Sequence, residues 1–266
     1  MNSINFYKKI IMFVFLSLGF FSFKVIVFAD QIDQQNSSLN APTTTVSALE
    51  SKKEALSDAL TASYDELNEL KSEVESIKVE GDQWDKIKID ILNQADKIKE
   101  YYDRAGEKLV SENINQDTIK GLAKELKYFR EGFVNEYYKN SINFILIFEE
   151  ADLLKIADSR LNKISSDLAR LEKQSVSKVR PLKTLYNEAG KHLKLAHDLN
   201  DNAKTLFYNY LNPLEKKEIK PDELDQEKEQ TKKLSDSQTL VRSISQKSLD
   251  ELKATYDIFI NMSKSL

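Results

Sequence analysis

Residues 82–109 read DQWDKIKIDILNQADKIKEYYDRAGEKL, and within them Trp84, Ile87, Ile91, Ala95, Ile98, Tyr102, Ala105 and Leu109 recur in steps of three and four. Side chains at those steps line one face of an α-helix, whereas a half-buried strand would alternate at every second residue. The positions between them are mostly charged or polar, so the segment carries one apolar stripe and one solvated face. Asp82, just after Gly81, stands where an N-cap is needed.

The same period extends in both directions from this segment. Towards the N-terminus, between Val46 and Val79, the series Leu49, Leu56, Leu60, Leu67, Leu70, Val74, Ile77 predicts a first long helix that stops near Gly81. Towards the C-terminus, SENINQD at 111–117 predicts a break, and Ile119, Leu122, Leu126, Phe129, Phe133 and Tyr137 place a third helix after it. At 142–148 the chain reads INFILIF, apolar nearly all round; seven residues leave open a buried helical turn or a short break. A fourth helix follows with Leu154, Ala157, Leu161, Ile164, Leu168 and Leu171. Pro181 fits the first turn of a fifth, which carries Leu182, Leu185, Ala189, Leu193, Ala196, Ala203, Leu206 and Tyr210 and ends at Asn212-Pro213. The charged stretch at about 213–233 reads as an exposed loop, and a last helix from Leu234 to about Met262 uses Val241, Ile244, Ser248, Leu252 and Phe259.

Only 6 Gly and 4 Pro interrupt 266 residues rich in Lys, Glu, Leu, Asp and Ala, which favours long helices over a many-turned β architecture. The expected fold is all-α: an elongated antiparallel bundle of five to six long helices over 46–266, with coiled-coil-like packing because the apolar period lies close to ~3.5 residues.

The N-terminus has a different character. Lys8-Lys9 precedes an apolar run from Ile10 to Phe23, and Val27-Phe28-Ala29 offers small or tolerated residues before a cut at Asp30. Residues 1–29 therefore read as a signal peptide, the run being short of the ~20 residues that span a bilayer. An uncleaved anchor is the competing reading, since Val25 to Phe28 extends the apolarity past Lys24. Residues 30–45, DQIDQQNSSLNAPTTT, have no apolar period and read as a flexible polar tether. After cleavage the chain is expected to have no integral membrane span. It is also expected to be exported, either to the periplasm or to the cell surface and medium.

The formal charge is −4, and the export segment carries lysines without acids, so the mature chain is more acidic still. Interspersed charge of that sign argues against nucleic acid as a partner, which would require a basic stripe. The absence of Cys excludes disulfides, thiolate metal sites, cysteine nucleophiles and acylation at a first mature Cys.

No residue pattern marks a catalytic, metal or cofactor site, and none is expected. His192 and His197 are five apart, which is off the three-or-four spacing of ligands on one helix face; Glu188 and His192 have the right spacing but read as a solvated pair. Neither histidine has the preceding Glu of a di-iron helical bundle. Glu149, Glu150 and Asp152 follow the apolar INFILIF run; they read as charges at a helix start, with a pKa-shifted carboxyl beside a dry pocket as the alternative. Phe129, Phe133 and Tyr137 fall on the core stripe. Tyr101, Tyr128, Tyr138 and Tyr208 fall off it, and these are the candidate interface residues, because exposed aromatics are favoured at interface hot spots.

The segment LSLGFFSF at 16–23 with VFAD at 27–30, the Lys, Asn and Ile bias and the long cysteine-free helices resemble small exported helical antigens of Borrelia, one of them porin-like. The resemblance implies an envelope or secreted protein, antigenic and able to bind a host factor. Members of that group acylated at a Cys have no counterpart here. Porin-like activity would need alternating strands of ~10 residues or apolar helices of ~20, and the mature sequence reads as neither. The expected function is thus a non-enzymatic protein-binding or antigenic module whose partner is a host factor or a second copy. The alternatives are a structural envelope protein self-associating through the first helix, and a porin-like protein or carrier with an apolar pocket near Phe144 to Phe148.

Overall fold

The computed structural model describes residues 45–111, 114–173, 176–211 and 224–265. The export segment, the tether except Thr45, and part of the charged stretch lie outside them. The described chain is all-α: α1 (Thr45–Ser76), α2 (Asp82–Leu109), α3 (Gln116–Phe129), a π-helical segment (Arg130–Val134), α4 (Asn135–Glu172), α5 (Val176–Leu211) and α6 (Leu224–Lys264). Among the described residues no helix is long and apolar enough to cross a membrane. The periodicity over 46–266 predicts one bundle, yet packing gathers the helices into two compact units, the first running through Ile142 and the second starting at Asn143.

In unit 1, α1 and α2 form an antiparallel hairpin. Cross-helix contacts set the direction: Lys71 Nζ lies 2.6 Å from Asp96 Oδ1, and Lys99 Nζ lies 5.7 Å from the Tyr64 ring centre, so positions rise along one helix as they fall along the other. The turn depends on Gly81, whose φ of 102° is closed to most side chains. Its carbonyl accepts from the N–H of Trp84 at 2.9 Å, which makes Gly81 the cap and Asp82 the first helical residue, so the helix starts one place earlier than a cap at Asp82 implies. Lys88 then reaches across, donating at 2.8 Å to the carbonyls of both Glu75 and Ile77 and so satisfying orphan groups at the end of α1. The third helix starts on Asn115, whose side chain accepts from Thr118 N–H at 2.9 Å. Lys108 to Glu125 at 3.2 Å lays it antiparallel to α2. The eight stripe residues read from α2 are all buried.

Unit 2 is assembled in the same way. Asn200 Nδ2 to Ile147 O at 3.0 Å and His197 to Asp158 at 2.9 Å set α4 and α5 antiparallel. Ser248 Oγ to Ala196 O at 2.6 Å and Gln238 Nε2 to Tyr210 Oη at 2.6 Å set α5 and α6 antiparallel. Asn143 donates to Gln238 O at 3.3 Å and Arg160 lies 5.0 Å from the Tyr256 ring, which makes α4 and α6 parallel.

Three local readings change. Residues 142–148 are continuous helix within α4, and Asn143 to Phe148 are all buried, so the apolar run is a buried helical turn and not a break. Pro181 lies inside α5, which starts at Val176; burial of Val179 and Leu182 draws the turn before the proline into the helix. Helix α6 begins at Leu224, inside the stretch read as a loop, while residues 212–223 are outside the described structure.

Gly81→Ala should destabilise unit 1 by about 1–3 kcal/mol, because the strain is in the backbone and no neighbour lies within reach of the added methyl. Gly121→Ala, in open space within α3, should stabilise it by about 0.5–1 kcal/mol. Urea unfolding followed by Trp84 fluorescence reads both, since Trp84 is the sole tryptophan and lies in unit 1.

Candidate functional site

The π-helical segment shapes the surface of unit 1. An i→i+5 turn takes up an extra residue and rotates the following helix relative to an α-helical register. Leu126, Arg130, Val134 and Tyr137 are consequently the buried positions, and Phe133, which the period placed in the core, is 36% exposed. Phe129 is half-buried. Its ring stacks on Tyr101 of α2 with centres 3.7 Å apart and planes 16° apart, and on Phe133 at 5.5 Å and 25°. Tyr102 meets it edge-on from the core side at 6.4 Å. Tyr101, Phe129 and Phe133 thus form a row of stacked rings at the surface.

Of the four candidate interface tyrosines, Tyr101 belongs to this row, and burial beside Glu125 raises its phenol pKa. Tyr128 is 61% exposed, one residue along from the row, with Lys124 Nζ 5.8 Å from its ring centre. Tyr138 is drawn inward: its hydroxyl lies 3.5 Å from Glu66 Oε2, and burial, with Tyr102 and Glu66 nearby, holds its pKa well above the ordinary range. Tyr208 is half-buried in unit 2 and is not brought together with the other three.

Arg130, only 5% exposed, enters the core where the π-helical segment opens the stripe. Its guanidinium lies 3.5 Å from Glu66 Oε2 and 3.4 Å from Ser63 Oγ, an arrangement that holds α1 to the third helix of unit 1. Burying an arginine is tolerated only with such partners.

In unit 2 a polar layer interrupts the core. Glu150 has no exposed surface. Asn200 Nδ2 donates to Glu150 Oε2 at 3.1 Å and to Ile147 O at 3.0 Å, while Ser248, with its own proton on Ala196 O, stands within hydrogen-bond reach. Glu150 Oε1 and the hydroxyl of Ser245 are buried without a hydrogen-bond partner. Burial pushes the Glu150 pKa up from 4.5 to about 7, against the opposing pull of Ser248, Asn200 and Lys204. The reading of 149–152 as helix-start charges is corrected: all three lie within α4, and Glu150 is the pKa-shifted carboxyl, with Glu149 half-buried and Asp152 exposed.

Asn200 was the residue missed, although its signal was in the sequence. The stripe of α5 runs Leu182, Ala189, Leu193, Ala196, then Ala203, and the vacant step between the last two is position 200. Phe207, not Leu206, continues it. The histidines pair across helices, His192 with Glu251 at 2.6 Å and His197 with Asp158 at 2.9 Å, so Glu188 is not the partner of His192. Among the described residues no group of three or more His, Cys, Asp or Glu is placed to hold a metal ion. The chain matches no protein-family model, no curated protein and no solved structure.

Because the folded state holds the Glu150 proton more tightly than the unfolded chain does, stability should be highest below the unfolded pKa, fall as pH rises from 4.5 towards 7, and level off above it. The total loss is of order 3 kcal/mol. Glu150→Gln should remove that component, so its unfolding free energy relative to the parent chain rises from pH 5 to pH 8. Urea titrations by circular dichroism at both pH values test this; a constant difference would refute a shifted carboxyl.

Proposed function

We propose that this chain is an exported, non-enzymatic helical protein whose unit 1 binds a protein partner through the row Tyr101, Phe129 and Phe133 with Tyr128 beside it. One observation carries the reading: a stack of rings left at the surface where a regular α-helical register would have buried Phe133. Exposed aromatics of this kind supply large rigid contact area at low entropic cost and dominate interface energetics. Export rests on the Lys8-Lys9, Ile10 to Phe23 and Val27 to Ala29 pattern, which is a sequence argument alone. The non-enzymatic reading is supported by Glu150, the strongly shifted acid of unit 2, having no surface that a substrate could touch.

The partner is a host factor, an envelope protein or a second copy. Pairing of copies through the first helix is not favoured, because Leu56, Leu67, Leu70, Val74 and Ile77 are buried already. The test places a photo-crosslinking amino acid at position 133 in the full chain and, as control, at the exposed Lys253 of unit 2. One discrete adduct from position 133, lost when Tyr101→Ala and Tyr128→Ala are combined, is the expected result. Equal labelling from both positions, or none from 133, would overturn the proposal. Where a purified partner is in hand, Tyr128→Ala should weaken binding by about 1–2 kcal/mol with unchanged unfolding, read by calorimetry.

A further inference from the structure

Unit 2 holds a groove that the foregoing reading does not use. It measures about 260 Å³ and is lined by Ile164, Leu168 and Leu171 of α4, Leu182 of α5, and Phe259 and Met262 of α6. Leu168, Leu182, Phe259 and Met262 are buried and form its floor, while Ile164 and Leu171 are half-exposed walls. This is not the carrier pocket expected near Phe144 to Phe148, where the side chains are packed into the core.

Charge at the rim defines the occupant. Arg160 and Lys163 stand at the α4 edge, together with Asp167. Asp167 is neutralised by Arg170 at 3.3 Å, which leaves the mouth positive. Arg160 lies over the Tyr256 ring at 5.0 Å, an arrangement that holds a guanidinium in place while its donors remain available. Both cations precede the end of α4 at Glu172 by more than two turns, beyond the reach of the negative end of the helix dipole. An apolar trough with cations at one edge matches an amphiphile with a single negative head.

We propose that the groove binds a free fatty acid of medium chain length, its carboxylate on Arg160 and Lys163 and its chain running over Leu168 and Phe259 towards Leu171 and Leu182. The volume is slightly below the ~300 Å³ at which drug-sized pockets begin, enough for one short chain and too little for the two chains of a bilayer lipid. The site lies wholly in unit 2, so it stands or falls independently of the aromatic row of unit 1.

The experiment titrates the full chain with decanoate, decanol and decyltrimethylammonium by isothermal calorimetry, and with phosphatidylglycerol vesicles by co-sedimentation. Saturable binding of decanoate at one site per chain, at least about tenfold tighter than decyltrimethylammonium, is expected, with no vesicle binding. Lys163→Glu, at an exposed position, should weaken decanoate by about tenfold while leaving decanol and the circular dichroism unchanged. Ile164→Trp should fill the trough and abolish both decanoate and decanol binding. Absence of saturable decanoate binding, equal affinity for the cationic probe, insensitivity to Lys163→Glu, or binding to the vesicles in its place would each overturn the proposal.

Discussion

Outside the all-round buried turns of α4, the described helices each offer one apolar stripe, and a stripe packed against a single partner leaves part of its width in water. Burying it requires a third helix in the angle between the first two. Both units meet that requirement with an up-down-up set of helices, and most of the remaining architecture follows. With no Cys in the chain, no covalent cross-link supplements the packing. Val74, Ala95, Ile98 and Ile119 in unit 1, and Ala157, Leu193, Ala203 and Val241 in unit 2, are nearly inaccessible to solvent. Alanines at several of these positions allow close approach of helix axes, which is why small residues belong to the stripe as much as leucines do.

The polar residues admitted to those cores are the expensive part of the design. Arg130 and Glu150 sit at core positions where an apolar side chain would pack more cheaply. Arg130 meets Glu66 and Ser63 within its unit. Glu150 has Asn200 and Ser248 within reach but retains one oxygen without a partner, and burial raises its proton affinity. A buried carboxyl bonded to an asparagine fixes the axial alignment of α4 against α5, because sliding either helix by one turn would strand two buried polar groups. The two histidine pairs, His192 with Glu251 of α6 and His197 with Asp158 of α4, tie α5 to both neighbours with less burial.

What the surface offers is set by departures from regularity. The π-helical segment Arg130–Val134 trades Phe133 for Val134 in the core and leaves the stacked rings outside. In unit 2 the side chains at the ends of α4 and α6, with Leu182 of α5, enclose a trough and do not close it. These two features, one aromatic and one apolar with a cationic edge, differ in chemistry and lie in different units.

The sequence by itself determined the all-α class, the number of helices among the described residues to within one, and nearly every apolar core position of α1 and α2, because burial with a period near that of the helix is a local property that needs no partner to be visible. Glu150 stands in it only as one of three carboxylates after an apolar run, and Asn200 as a gap in a stripe, because polarity alone cannot tell a buried hydrogen-bonded side chain from a solvated one. Only the tertiary structure decided that the helices gather into two units, that Glu150 and Asn200 meet, that Tyr138 turns inward to Glu66 while Tyr128 stays out, and that Phe133 leaves the core. Each of those outcomes depends on which helix lies against which and on one extra residue in a π turn. Competition between distant side chains for the same buried space settles such matters, and no periodicity within a single segment records it.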